Sequence, residues 1–551
     1  MHLVASQLLK FRLRTPAAGA ARMISMMQLN FYVILVSLVV ALGGFVWGFD
    51  ATVISGAVPF VKKYFDLSGA AGDFKLGLAV SCLGWGVLGG TAVSGVLSDR
   101  FGRKKVLLLT AVLFAGSALL SALTTRFGLF VLSRIVGGIA VGGAILIAPV
   151  YIAEISPPRL RGRLVSLNQL MIVIGISASF FSNWFLLDTG ANNWRWMLGV
   201  EVVPAALYFF LLLGVPESPR WLLGGGREQE AREVLSKVRG AGEVETEMDN
   251  IRASFAENSV GLGLGGLAGS RMRFVIVIAL AIAFFQQITG INAVFYYLPT
   301  IFAQTGGTQN AAFRQAVLVG LVNLGMTFVA IWLIDRLGRK PLLIIGAAGM
   351  AASLLTCSWA FHSATFQLTA KSYTMLQADK VPADFLAELK ESEGEVFGTD
   401  REFLAALDTR VGADRVKPYR DSLANAALNI RAGVVLLAII GFVASFAISL
   451  GPVMWVLLSE IFPNEYRGAA MSLVGFWNSA ISASVTFIFP WELSHFGTGG
   501  TFLGYGLFAV AALVFVVAAI PETKGKSLEE LEKILVRSPI KSTPVPSHAM
   551  D

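Results

Sequence analysis

Twelve apolar stretches, each close to the length needed to cross a bilayer, constrain this chain more than any other feature. They run at roughly 31–61, 76–97, 106–124, 128–152, 164–187, 195–215, 274–303, 315–335, 341–362, 432–460, 469–490 and 500–520. A helix needs about 20 apolar residues to span the hydrocarbon core, where backbone groups have no water to bond. The sequence therefore predicts an all-α membrane protein of twelve transmembrane helices. Composition agrees: of 551 residues 55% are hydrophobic and 15% charged, with a mean hydropathy of +0.68. The 57 glycines suit close helix packing.

The net charge of +8 is no sign of nucleic-acid binding, because Lys and Arg gather in alternate short loops. Asp99–Lys105 joins spans two and three, Arg159, Arg161 and Arg163 lie between four and five, and Arg336, Arg339 and Lys340 between eight and nine. All fall on one side, which the positive-inside rule makes cytoplasmic, and both termini follow. The first helix is expected to act as an uncleaved signal anchor in the cell (inner or plasma) membrane. Cys82 and Cys357 lie within apolar segments and offer neither a disulfide framework nor metal spacing. With four His and no nucleophile–base arrangement, an enzyme is disfavoured, and no catalytic or metal residues are assigned.

The chain repeats itself. Asp99-Arg-Phe-Gly-Arg-Lys104 recurs as Asp335-Arg-Leu-Gly-Arg-Lys340, Glu154-Ile155 with Arg161-Gly162 as Glu460-Ile461 with Arg467-Gly468, and Pro216-Glu217-Ser218 as Pro521-Glu522-Thr523. Asp99 to Glu154 is 55 residues, whereas Asp335 to Glu460 is 125; the next intervals are 63 and 62. The second half thus carries about 70 extra residues, located at the charged stretch 363–431, where Phe385, Leu389, Phe403, Leu404 and Leu407 have helical spacing. The expected organisation is a cytoplasmic tail (1–30, basic and free of acids through 27), a six-helix half (31–216), a cytoplasmic linker with helices (217–272), and a second half (273–520). The insert 363–431 faces outside, and a cytoplasmic tail (521–551) follows. Two parallel six-helix repeats describe a secondary transporter with its cargo near the midplane.

Four motifs carry a family resemblance across about residues 30–535, the insert excepted. Gly95-Val-Leu-Ser-Asp99-Arg-Phe-Gly-Arg103-Lys104, Pro216-Glu-Ser-Pro-Arg-Trp-Leu222, Gln286-Gln-Ile-Thr-Gly-Ile-Asn292 and Pro521-Glu-Thr-Lys-Gly525 resemble the sugar porters of the major facilitator superfamily. Bacterial pentose– and hexose–proton symporters and animal glucose facilitators are nearest in pattern. The resemblance implies the major facilitator fold and a charge network that acts as a gate. Asp99 and Arg103, Glu154 and Arg161, Asp335 and Arg339, and Glu460 and Arg467 are the expected members.

Side-chain amides both donate and accept, which suits sugar hydroxyls, and aromatic rings suit the C–H face. The substrate-binding candidates are Gln169, Gln286, Gln287, Asn292, Tyr296, Asn323, Trp455, Asn478 and Trp47, with Phe45 beside them. Five residues separate Gln287 from Asn292, about 140° on a straight helix, so they converge only if the helix breaks at Gly290. Gly451-Pro452 permits a second break. In span eleven the order Trp477-Asn478 departs from the Gln-Trp or Asn-Trp common in the family, so Trp477 is expected to point elsewhere.

Asp50 is the first acid of the chain and lies deep in span one. An ionisable group there is costly and needs a partner or a task. By resemblance Asp50 occupies the position of the coupling carboxylate in proton-driven members, and Arg134 that of its partner; Glu201 is a second buried acid. The expected function is monosaccharide transport by alternating access, coupled to proton symport. The alternatives are a passive sugar or polyol facilitator and a non-transporting nutrient sensor. Monosaccharide, protons and lipid are the expected partners, with no cofactor beyond the proton gradient, no nucleic acid, and a functional monomer.

Overall fold

A computed structural model describes residues 16–239, 243–257, 270–378, 381–462 and 466–525. The start of the expected N-terminal tail, parts of the linker and most of the C-terminal tail lie outside the described residues. The chain divides into two compact units, Met1–Val260 and Gly261–Asp551.

In the first unit the membrane-length helices are span one (Phe31–Tyr64), two (Gly69–Phe101), three (Arg103–Leu123), four (Phe127–Ile155), five (Pro158–Phe185) and six (Asn193–Leu213). The helix of span one already begins at Pro16, within the expected N-terminal tail. Span one packs along five, and two along four. Glycine permits this: a Cβ on Gly48 would lie 2.0 Å from the Ile172 carbonyl oxygen, and one on Gly175 2.1 Å from that of Phe45. With no hydrophobic drive between helices in lipid, such backbone approach supplies much of the packing. Span six is interrupted at Val200–Glu201, between helical pieces Asn193–Gly199 and Val202–Leu213. Pro204 has no N–H to close the turn there.

The second unit repeats the pattern with span seven (Arg273–Ala303), eight (Gln309–Leu337), nine (Arg339–His362) and ten (Ala432–Ile461). Spans eleven and twelve lie within Arg467–Ala519 as two helices that meet at Gly497, where the backbone leaves the helix (φ 67°, ψ 170°). With Arg467–Ala519 holding two of them, the 11 membrane-length helical stretches among the described residues account for the twelve expected spans. Span seven breaks at Gly290 (φ 83°), giving Ser270–Ile288 and Ile291–Ala303. Span ten breaks before Pro452, giving Ala432–Ile448 and Pro452–Ile461. Large apolar side chains such as Leu123, Phe185, Phe210, Leu437 and Val514 are exposed, as surfaces meeting lipid must be.

The insert is a small folded body. Thr365–Phe366 pairs antiparallel with Leu428–Asn429, bringing its ends together. Between them short helices surround a core that includes Phe385, Leu389, Phe403 and Leu407, with Leu404 packed against it. Arg415 pairs with Asp384 and Glu388, and Arg410 with Glu395. Arg410 is held protonated above its ordinary range, chiefly by the hydrogen bond to Glu395.

Candidate transport site

Three ionisable groups meet inside the first unit. Asp50, Arg134 and Glu201 are 0%, 1% and 1% exposed. Arg134 Nη1 donates to Asp50 Oδ1, and Arg134 Nη2 donates to the Asp50 carbonyl oxygen at 2.9 Å. The Glu201 carboxyl is near enough to Asp50 and Arg134 to interact with both electrostatically. Gly137 leaves room for the cluster: a Cβ on it would sit 2.9 Å from Asp50 Oδ2 and 2.5 Å from Ser117 Oγ. Asp50 Oδ2 and Glu201 Oε1 are buried without a protein donor. Two carboxylates against one guanidinium leave a net negative charge in an apolar interior, which is strongly unfavourable until one proton is added.

The second unit holds amides instead. Gln286 Nε2 donates to the Leu450 carbonyl oxygen at 2.7 Å, an acceptor released by the break at Gly451-Pro452. Asn478 Nδ2 donates to Gln286 Oε1 (2.7 Å) and to the Ala283 carbonyl oxygen (3.1 Å). Gln287 Nε2 donates to Asn478 Oδ1 (3.1 Å), and Asn292 Nδ2 to Gln287 Oε1 (2.8 Å) and Ser482 Oγ (2.7 Å). The break at Gly290 thus brings Gln287 and Asn292 together, as their spacing required.

The remaining candidates differ in burial. Gln169 is exposed, and Trp47, Tyr296 and Trp455 are half-buried. Asn323 is buried, and its backbone carbonyl accepts from Thr327. The side chains of Gln169, Asn323 and Trp455 make no hydrogen bond among the described residues. Phe45 stacks on Phe49. Trp477 turns outward, its Nε1 donating to the Leu280 carbonyl oxygen at 3.2 Å, as the departed motif implied.

The basic ends of the two units carry matching clusters. Arg103 Nε donates to Glu154 at 3.1 Å and its Nη1 pairs with Asp99 at 3.1 Å. Arg339 Nη2 donates to Glu460 at 2.7 Å, and its Nη1 lies 3.8 Å from Asp335. The other expected members, Arg161 and Arg467, form no ion pair with Glu154 or Glu460 among the described residues. Arg161 donates instead to the Ala153 carbonyl oxygen, and Arg467 to that of Phe462. Both arginines lie beyond the end of the helix carrying the acid, and each caps its last carbonyls. The glutamates are then left to the arginine of the preceding loop motif.

Glu217 and Glu522 were visible as repeated residues but not as cluster members. Glu217 Oε1 accepts from the backbone N–H groups of Arg103 (3.0 Å) and Lys104 (3.1 Å). Glu522 accepts from those of Arg339 (3.1 Å) and Lys340 (3.0 Å). A carboxylate at a helix N-terminus is stabilised by free N–H groups and the dipole. Burial works against the charged Glu522, but the N–H groups of Lys524, Arg339, Lys340 and Thr523 outweigh it and hold this carboxyl below its usual range. Gly102 (φ 99°) and Gly338 (φ 91°) make the approach possible, since a Cβ at either would collide with the glutamate.

Comparison with known proteins agrees with this architecture. The profile of the family described as "Sugar (and other) transporter" matches residues 36–378 and 420–535, leaving out most of the insert. The arabinose-proton symporter of Bacillus subtilis (strain 168) is 34% identical over 513 residues, covering 92% of this chain and 96% of its own. The D-xylose-proton symporter of Escherichia coli (strain K12) is 34% identical over 541 residues, covering 91% and 96%. An inward-open structure of the E. coli xylose transporter XylE matches with a TM-score of 0.70 at 33% identity, over 91% of this chain and all of that one. The chain belongs to the sugar transporter family of the major facilitator superfamily. It is a multi-pass membrane protein.

Proposed function

We propose that this protein is a monosaccharide–proton symporter of the cell membrane, working by alternating access with its basic loops and both termini in the cytoplasm. The observation that carries the coupling is the buried Asp50–Arg134–Glu201 cluster. One guanidinium neutralises one carboxylate, so the second carboxyl needs a proton to be stable out of water. A proton between Asp50 Oδ2 and Glu201 Oε1 would satisfy two oxygens that have no other donor. When rocking of the halves wets this site, the penalty on the charged form falls and the proton can leave. The names of the curated relatives, an arabinose-proton and a D-xylose-proton symporter, support the same reading.

The cargo is a pentose or hexose. Gln286, Gln287, Asn292 and Asn478 form a donor–acceptor array of the kind sugar hydroxyls exchange with, and Gln169, Asn323, Trp47, Tyr296 and Trp455 supply further polar and aromatic surface. Arg103, Glu154, Arg339 and Glu460, with Asp99, Asp335, Arg161 and Arg467, form the gate. The pairs to the exposed Asp99 and Asp335 contribute about 1 kcal/mol or less and open readily, while Arg103–Glu154 and Arg339–Glu460 are mostly buried. The reading is of a transporter acting as a monomer, not an enzyme.

The deciding experiment is reconstitution in liposomes with labelled sugars. Asp50→Asn is expected to abolish accumulation driven by a pH gradient while keeping counterflow exchange. Undiminished accumulation in Asp50→Asn would leave passive facilitation as the better account.

A further inference from the structure

Glu492 is an acid inside the helix Arg467–Ala519 that the transport scheme does not use. It lies half-buried two residues after Pro490, at the end of span eleven. Its Oε2 accepts a 2.6 Å hydrogen bond from the phenol of Tyr505. Tyr505 is 3% exposed. Its ring stacks on Phe489 at 6.2 Å, and Phe489 in turn lies 4.9 Å from Tyr297.

The same ring fills the space beside the break in span seven. A Cβ on Gly290 would sit 2.3 Å from Tyr505 Cε2. Tyr505 therefore touches Gly290 directly and, through Phe489, the half-helix that follows it. That break alone brings Asn292 Nδ2 to Gln287 Oε1. A ring able to swing away would let Gly290 relax and the two amides separate; the hydrogen bond to Glu492 fixes the phenol end of the lever.

We infer that Glu492 is a positioning residue for the sugar site, holding Tyr505 against Gly290 and so setting the Gln287–Asn292 geometry. This rests on the reading of those amides as the sugar site. Glutamine at 492 keeps an acceptor oxygen, so Glu492→Gln is expected to behave as wild type. Glu492→Leu and Tyr505→Phe each break the bond.

The test uses the full-length protein with two readouts. Hydrogen–deuterium exchange of the segment 284–298 reports the break itself. Counterflow with labelled D-xylose, L-arabinose and D-glucose reports half-saturation separately from maximal rate, with Asn292→Ala as the control on the sugar reading. Glu492→Leu and Tyr505→Phe are expected to speed exchange and to raise half-saturation by about three- to tenfold with maximal rate within about twofold. The double variant should be no worse than either single, and Glu492→Gln should restore both readouts. Wild-type exchange in both single variants, or additive effects in the double, would overturn the inference. So would unchanged half-saturation in both where Asn292→Ala raises it. If exchange rises but not even Asn292→Ala shifts half-saturation, Glu492 still holds the break and the sugar reading fails instead.

Discussion

The two units are near copies at their basic ends and unlike in their interiors. Arg103, Glu154, Glu217 and Ser218 find almost the same bonds as Arg339, Glu460, Glu522 and Thr523: Ser218 Oγ donates to Glu154 at 2.5 Å, and Thr523 Oγ1 to Glu460 at 2.6 Å. Lys104 donates to the Leu213 carbonyl oxygen and Lys340 to that of Val517. Within the membrane the first unit presents two acids and a guanidinium, and the second a chain of amides. What a duplicated chain has kept twice is what both halves must do alike. What differs marks the separate chemistry proposed for each, ions in one and hydroxyls in the other.

The sharpest way to break this comparison is to unpair the ions. Arg134→Ala leaves an uncompensated buried charge and should cost about 3–5 kcal/mol, seen as a large fall in thermal stability in detergent as well as loss of proton-driven accumulation. A loss no greater than that from Gln287→Ala would mean the two interiors are not different in kind. Next in size, Gln286→Ala and Asn292→Ala should raise sugar half-saturation by about 10- to 100-fold in counterflow, with little change in proton dependence. A shift in proton coupling from these variants would blur the division of labour.

The basic ends should respond alike and weakly. Glu217→Gln and Glu522→Gln are each expected to lower stability by about 1 kcal/mol or less. For Glu522 the sign with pH follows from its lowered pKa. Its contribution is full above the ordinary glutamate range and is lost as pH falls through the lowered folded value. The melting difference between wild type and Glu522→Gln should therefore be present at neutral pH and close in acid. The smallest effect is expected from the insert. Because strands Thr365–Phe366 and Leu428–Asn429 bring its ends together, replacing 367–427 by Asn-Gly should leave half-saturation within about twofold.

Much of this was legible in the chain. Hydropathy located the spans, and unequal spacing of repeated motifs located the insert. The angle between Gln287 and Asn292 required a break for the two to converge, and Gly290 permitted one. The ion partners were less legible, because sequence proximity competes with helix geometry. Arg161 is seven residues from Glu154, but the chain turns at Ser156-Pro157, and Arg161 spends its guanidinium on a freed carbonyl. Glu217 reaches Arg103 from 114 residues away, a pairing no local pattern encodes. Glu492 went unremarked because its partner Tyr505 lies beyond the kink at Gly497. The composition of 493–500, polar and glycine-rich, reads as a turn between spans, and the backbone leaves the helix there at Gly497 (φ 67°, ψ 170°).

The bond from Gln286 to the Leu450 carbonyl oxygen has a consequence for how tightly a cargo is held. The amides are already engaged with one another and with backbone before any hydroxyl arrives, so loading is an exchange of partners, with little net gain in their number. For the proposed sugar site, selectivity would then come from which stereochemistry completes the exchange, with a modest affinity on the order of tens of micromolar to millimolar. A carrier that must release its cargo on every cycle works best with a grip of that strength.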